Sequence, residues 1–456
     1  MPKQRTALAP VTHRVRTGGI RRVYVAALAP SLLAACSGDV VSLGERQDEI
    51  AVPPHSRCQT STTLEGPVRI ESQEQLDTLE GCEIIAGDLD IVAFPTASLR
   101  SLHALTRVEG RVKIGGYIPV RPTDGERPVE ESLHGDRAAY EASIVSWLPS
   151  LEGLEQLETV GSLAITAPVR SLQPLSGLRR IDTRFLNVSS PVLESLAGLE
   201  AIGELEHLGV QGGKLRDISA VRLSEEMESL SVHAPILALD ASALREAEHI
   251  SLAYTELEDL DTFENLGSVD SLTIVSNARL RNVDGLGNVR YIVDLTVAEN
   301  GQLESLGGAF PLLYWLRTLQ IGDNPILTEL PSFPSFDDGT GLPVPDDGPE
   351  WRSFINMEFI SLHGNDRLQH FTMPAKWRTA TTVAISGTLL ETIDFANMQS
   401  IGTLIVEANP LLSGVNLGAL SSVAFLDLNS NDVLSPTVFD GVSTVERNIA
   451  RNAPAP

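Results

Sequence analysis

Two apolar residues flanking a single small or polar one recur along most of the chain. Examples are Leu89-Asp-Ile91, Val112-Lys-Ile114, Leu272-Thr-Ile274, Leu295-Thr-Val297 and Leu426-Asp-Leu428. Alternation of this kind turns one side of a short β-strand inward and the other outward. A longer phrase, Ile85-Ala-Gly-Asp-Leu-Asp-Ile91, returns as Val108-Glu-Gly-Arg-Val-Lys-Ile114, displaced by 23 residues. Fourteen such cores lie between residues 89 and 428, and eleven of the thirteen steps between them fall in 20–24 residues. About six residues after a core stands a second apolar pair, as in Leu280-Arg-Asn-Val283 or Leu303-Glu-Ser-Leu306.

A strand, a turn and a return segment at this period make one coil of a solenoid. One coil cannot bury its apolar face, whereas stacked coils share a continuous core. The expected fold is therefore mainly β, a right-handed β-solenoid of about 14 coils of ~22 residues over residues 58–440. Fourteen rungs at strand spacing would form a rod roughly 60 Å long. Asn277, Asn300, Asn324, Asn365, Asn409 and Asn431 each follow the second apolar residue of a core by three positions. This resembles the leucine-rich-repeat pattern, which implies a ladder of stacked asparagines serving backbone groups at the turn.

Two steps are long. The first predicts an insertion at about 116–146 that contains Tyr117 and Tyr140 and ends beside Trp147, a candidate binding loop. The second predicts an insertion at about 331–354, rich in proline and aspartate. Its acidic stretch between Asp337 and Glu350 is a candidate for weak calcium binding, since carboxylates and carbonyls are calcium's ligands. It lacks the spacing of an EF-hand loop. Residues 441–456 lack the repeat and are expected to form a disordered tail.

The first 35 residues contain six bases and no acid, and an apolar run from Val23 to Leu33 ends in Leu33-Ala34-Ala35-Cys36. A basic stretch, a short apolar run and small residues are the grammar of an export signal, and the run is too short to span a bilayer. The tetrad resembles the lipobox of bacterial lipoproteins. That resemblance implies cleavage before Cys36, diacylglycerol on its sulfur, a polar tether over 36–57, and attachment to the cell envelope, with the outer membrane favoured by Ser37. Export also implies an oxidising compartment. Cys58 and Cys82 are then the remaining pair, and we expect them to be bonded to each other.

The block from Cys58 to Ile114 resembles the receptor L domain of insulin-receptor and epidermal-growth-factor-receptor ectodomains. The resemblance rests on the two cysteines, on Gly87 and Gly110 before the strand cores, and on the repeated Ile-x-Gly-x-Leu-x-Ile phrase. It implies a disulfide-capped first turn, a solenoid and a binding role. The chain has more coils than that family and lacks its cysteine-rich module.

Composition narrows the partners. The 456 residues hold 34 Lys plus Arg against 60 Asp plus Glu, a net charge of −26. Without the first 35 residues the balance becomes 28 bases against 60 acids, a net −32. Such a body repels phosphates, which argues against nucleic acid. The nine histidines are scattered: His207 and His249 share a position two coils apart, while His233 follows its core instead of preceding it. No His-Glu-x-x-His, Gly-x-Ser-x-Gly or phosphate-loop spacing occurs. The residues between the apolar pairs, among them Ser231, Ser251, Thr273 and Thr296, are small and lack adjacent acids. That argues against a polysaccharide-cleaving enzyme. The expectation is a non-enzymatic module without catalytic residues, metal or cofactor, binding a protein partner in adhesion or recognition, with a passive coat lipoprotein as the alternative.

Overall fold

The computed structural model describes residues 57–58, 61–92, 98–115, 148, 150–331, 333, 356–374 and 376–450. Their organising feature is one long sheet in which every strand pairing is parallel. The apolar pairs lie directly over one another: Leu272 and Ile274 face Leu295 and Val297, which face Leu319 and Ile321, then Ile360 and Leu362. The chain makes about 15 turns of about 22 residues each. Most rungs are eight-residue strands such as Glu226–His233, Glu246–Ala253, Ser268–Val275 and Tyr291–Ala298. Three positions in each point inward, giving the recurring buried leucines, isoleucines and valines of a single core cluster.

The return side has its own rule. In eleven coils a Ser, Asp or Asn side chain accepts the backbone N–H two residues on. These are Ser150, Ser171, Ser195, Asp217, Asp240, Asp259, Asn282, Ser305, Asp394, Asn416 and Ser435. Each such turn lets an apolar residue drop into the core beside it. Short pairings on this side, as among His370–Thr372, Thr392–Asp394 and Gly414–Asn416, form minor parallel sheets.

The six asparagines are fully buried and linked from coil to coil. The N–H of Asn277 donates to Oδ1 of Asn300 at 3.0 Å, that of Asn300 to Asn324 at 3.0 Å, and that of Asn324 to Asn365 at 3.2 Å. Each Nδ2 donates to a strand carbonyl of the preceding coil, for example Asn300 to Ile274 at 3.0 Å. A second run joins Asn409 to Asn431 at 3.1 Å. Both runs begin with threonine: Thr255 donates N–H and Oγ1 to Asn277, and Thr388 does the same to Asn409. The residue before each ladder position is left-handed, with φ between 52° and 59° at Tyr254, Ser276, Glu299, Asp323, Gly364, Gly387, Ala408 and Ser430.

The first coils are stacked through glycine. A Cβ on Gly87 would stand 2.5 Å from the carbonyl carbon of Gly66, one on Gly110 2.7 Å from that of Gly87, and one on Gly161 2.5 Å from the oxygen of Gly110. Only glycine permits backbones to approach so closely. Cys58 and Cys82 are bonded and buried, with Cα atoms 5.2 Å apart, beside the short helix Gln73–Asp77 that Ser72 caps.

Both long steps leave the sheet intact. Strand Arg107–Ile114 pairs directly with Thr159–Ile165, and Thr318–Gly322 pairs directly with Asn356–His363. In each case the two strands are neighbouring rungs, and the long segments joining them lie almost wholly outside the described residues. One expectation is corrected at the C-terminal end. Ser443–Ala450 is not part of a disordered tail but a further strand, paired with Ser422–Asn429. Its pattern hides the fact, because Thr444 and Arg447 take the places of the first two inward apolar residues, Val423 and Leu426.

Candidate functional site

The outward face of the long sheet consists of side-chain columns running from coil to coil at ~4.8 Å spacing. The column just before the apolar pair includes Phe185, His207, Ser229, His249, Ser271, Asp294, Thr318, Phe359, Thr382, Thr403 and Phe425. The column between the apolar residues is lined by Ser231, Ser251, Thr273, Thr296, Gln320 and Ser361. A third column starts each long strand and passes through Glu226, Glu246, Ser268, Tyr291 and Trp315.

Aromatic rings stand on this face in pairs. Phe185 stacks on the imidazole of His207, with centroids 4.0 Å apart and planes at 11°. Tyr291 stacks on Trp315 at 5.9 Å and 19°. Both pairs are partly buried, as are Phe359 and Phe425. They reach the surface because parallel register places residues of successive coils side by side.

Histidine chemistry on the face is limited. His207 and His249 fall in one column with Ser229 between them, two rungs apart, while His233 lies in another column. Nε2 of His233 is 2.9 Å from Oγ of Ser251 and 3.4 Å from Oγ of Ser231. Burial lowers the pKa of both His207 and His233. A neutral imidazole against a serine is half of a nucleophilic dyad. The strands that carry His233 and Ser251 are paired in the parallel ladder, which occupies their backbone N–H groups. No group of three metal-ligating side chains occurs among the described residues.

The return side carries an acidic cluster. Asp259, Asp261, Glu264 and Asp284 gather on the return side, where the neighbouring charge of Asp259, then burial and the charges of Asp284 and Glu264 raise the pKa of Asp261. At the turn of the later coils, Leu389, Leu411 and Val433 form an exposed apolar stripe. Leu389 and Leu411 line a shallow cavity of about 490 Å³ with Arg367, His370 and Glu391.

Of the residues singled out in the sequence, the bonded pair Cys58–Cys82 and the six ladder asparagines lie in the core rather than on this surface. Cys36, Tyr117, Tyr140, Trp147 and the 337–350 stretch lie outside the described residues. Four of the face residues stand one position before the apolar pair, so the residue between the pair gives no sign of them. Phe185-Leu186, His207-Leu208, Phe359-Ile360 and Phe425-Leu426 all bear that signal. No protein-family model matches the chain, and no curated protein matches it either.

Proposed function

We propose that this chain is a lipid-anchored solenoid of the bacterial cell envelope that acts as a non-enzymatic binding module through the outer face of its long sheet. The observation that carries the binding reading is the placement of Phe185, Tyr291, Trp315, Phe359 and Phe425, partly exposed, on one face of the molecule. A passive coat protein has no need to gather them there, and aromatic side chains are the commonest anchors of protein interfaces. The anchor reading is supported by Leu33-Ala34-Ala35-Cys36 after a basic leader. One lipidated cysteine with several acyl chains holds a protein stably to a membrane.

Two measurements test the reading. A photo-crosslinking amino acid at Phe359, on the face, should trap a protein partner in intact cells, whereas the same group at Asp261, on the return side, should trap none. Equal trapping at both positions, or none at either, would leave the coat-protein alternative standing. Metabolic palmitate labelling should disappear in Cys36→Ala, and labelling that persists would refute the anchor.

A further inference from the structure

We propose that the face docks an arginine-rich segment of a partner protein, in a strip formed by Glu226, Glu228, Glu246, Glu248, Tyr291 and Trp315. This inference rests on the binding-module reading and names its partner chemistry. Glu226 and Glu246 face each other in register, and the same column continues through Ser268 to Tyr291 and Trp315. Glu228 and Glu248 sit two residues further along, between the register pairs Met227–Ala247 and Ser229–His249. Carboxylates and stacked rings thus share one strip, with Tyr291 two rungs, or ~9.6 Å, from Glu246.

All four glutamates are exposed, and among the described residues none has an ion-pair partner. Of the cations close to the strip, Arg245 pairs with Glu225 at 3.4 Å, Arg317 pairs with Asp294 and Glu358, and Arg290, beside Tyr291 in sequence, acts on Tyr314. Like charges facing across neighbouring strands oppose folding. A face that keeps them on one strip with aromatic rings is matched to an incoming cationic segment. Nε1 of Trp315 is shielded from water and has no hydrogen-bond partner, so the part of the indole that solvent reaches is its apolar surface. Because the carboxylates and the rings lie two or more rungs apart on one strip, they suit successive arginines of an extended segment. One guanidinium binds a carboxylate through two parallel hydrogen bonds while another lies flat on a ring, which an ammonium does less well. Phosphate-bearing surfaces are repelled by the same charges.

The test uses the full chain and a fluorescent peptide of five Arg-Ser repeats, with a Glu-Ser peptide for comparison, read by anisotropy. The arginine peptide should bind and the glutamate peptide should not. Affinity should fall about tenfold or more when Glu226, Glu228, Glu246 and Glu248 are all changed to Gln, and about threefold in Trp315→Leu, which keeps apolar volume but loses the ring. A charge-matched control, with Asp366→Asn, Glu391→Gln, Glu407→Gln and Asp432→Asn, should bind within twofold of the unaltered chain. Circular dichroism establishes that each variant is folded. Absence of binding, or equal loss in the two quadruple variants, overturns the proposal. If the photo-crosslink at Phe359 still forms while the arginine peptide fails to bind, the module reading survives and this inference falls.

Discussion

Arg447 stands in register with Leu426, at a position that is apolar in every other described rung of the long sheet, and its guanidinium closes the last described coil. It donates to the carbonyls of Phe439 at 3.0 Å and Val442 at 3.2 Å and pairs with Asp440. A solenoid needs a terminal coil that water can wet, and a charged edge strand also discourages pairing with another chain. Arg447→Leu should therefore speed amide exchange across Ser443–Ala450, lower stability by about 1 kcal/mol and promote self-association on sedimentation. Unchanged exchange would show that the arginine has no capping role.

The asparagine ladder should respond according to how many buried groups each substitution orphans. Asn300→Ala strips partners from the N–H of Asn277 and the carbonyl of Ile274 and should cost about 3 kcal/mol in urea unfolding. Thr388→Val removes one hydroxyl donor, leaves the backbone bond to Asn409 in place, and should cost about 1 kcal/mol. Equal costs would mean that packing, not hydrogen bonding, governs the turn.

The left-handed column reverses an ordinary sign. Ala408 has φ 54°. Its replacement by glycine should stabilise by several tenths of a kcal/mol to about 1 kcal/mol, because relief of backbone strain outweighs the added freedom of the unfolded chain. Gly387 has φ 59° and open space around it. Gly387→Ala should destabilise by about 1 kcal/mol through backbone strain alone. Thermal melts of the two variants should shift in opposite directions.

Acid should weaken the fold through its shielded imidazoles. Burial lowers the pKa of His207 and His233 from 6.5, so below that pH the unfolded chain takes up protons more readily than the folded one. Their contribution is intact above pH 6.5 and declines as pH falls towards the lowered folded values. Urea midpoints from about pH 7.5 to about 5.5 should fall less steeply in the double variant His207→Gln/His233→Gln. An identical slope would assign the acid sensitivity elsewhere.

The coil period was plain in the sequence because inward apolar pairs stack without exception from Val68–Ile70 to Ser422–Asn429. The asparagines were visible for the same reason, since a buried amide demands a fixed place in each turn. Thr255 and Thr388 do not stand out in the sequence because the core leucine follows them two residues later, at Leu257 and Leu390, rather than three as at Leu280 after Asn277. Arg447 concealed the last strand by breaking the apolar rule where a cap requires it. The Tyr291–Trp315 stack was hidden more deeply, because the two rings belong to different coils and meet only through register.

The stacking of the apolar pairs continues across both long steps, with a one-residue shift between Val108 and Arg111 at the first, from Arg107–Ile114 to Thr159–Ile165 and from Thr318–Gly322 to Asn356–His363. Each coil takes its instructions from the rung before it rather than from the length of chain that leads there. Such a molecule can be edited in whole turns. Its lineage could lengthen a loop, or add or drop a coil, while every remaining coil keeps the neighbours that make it fold.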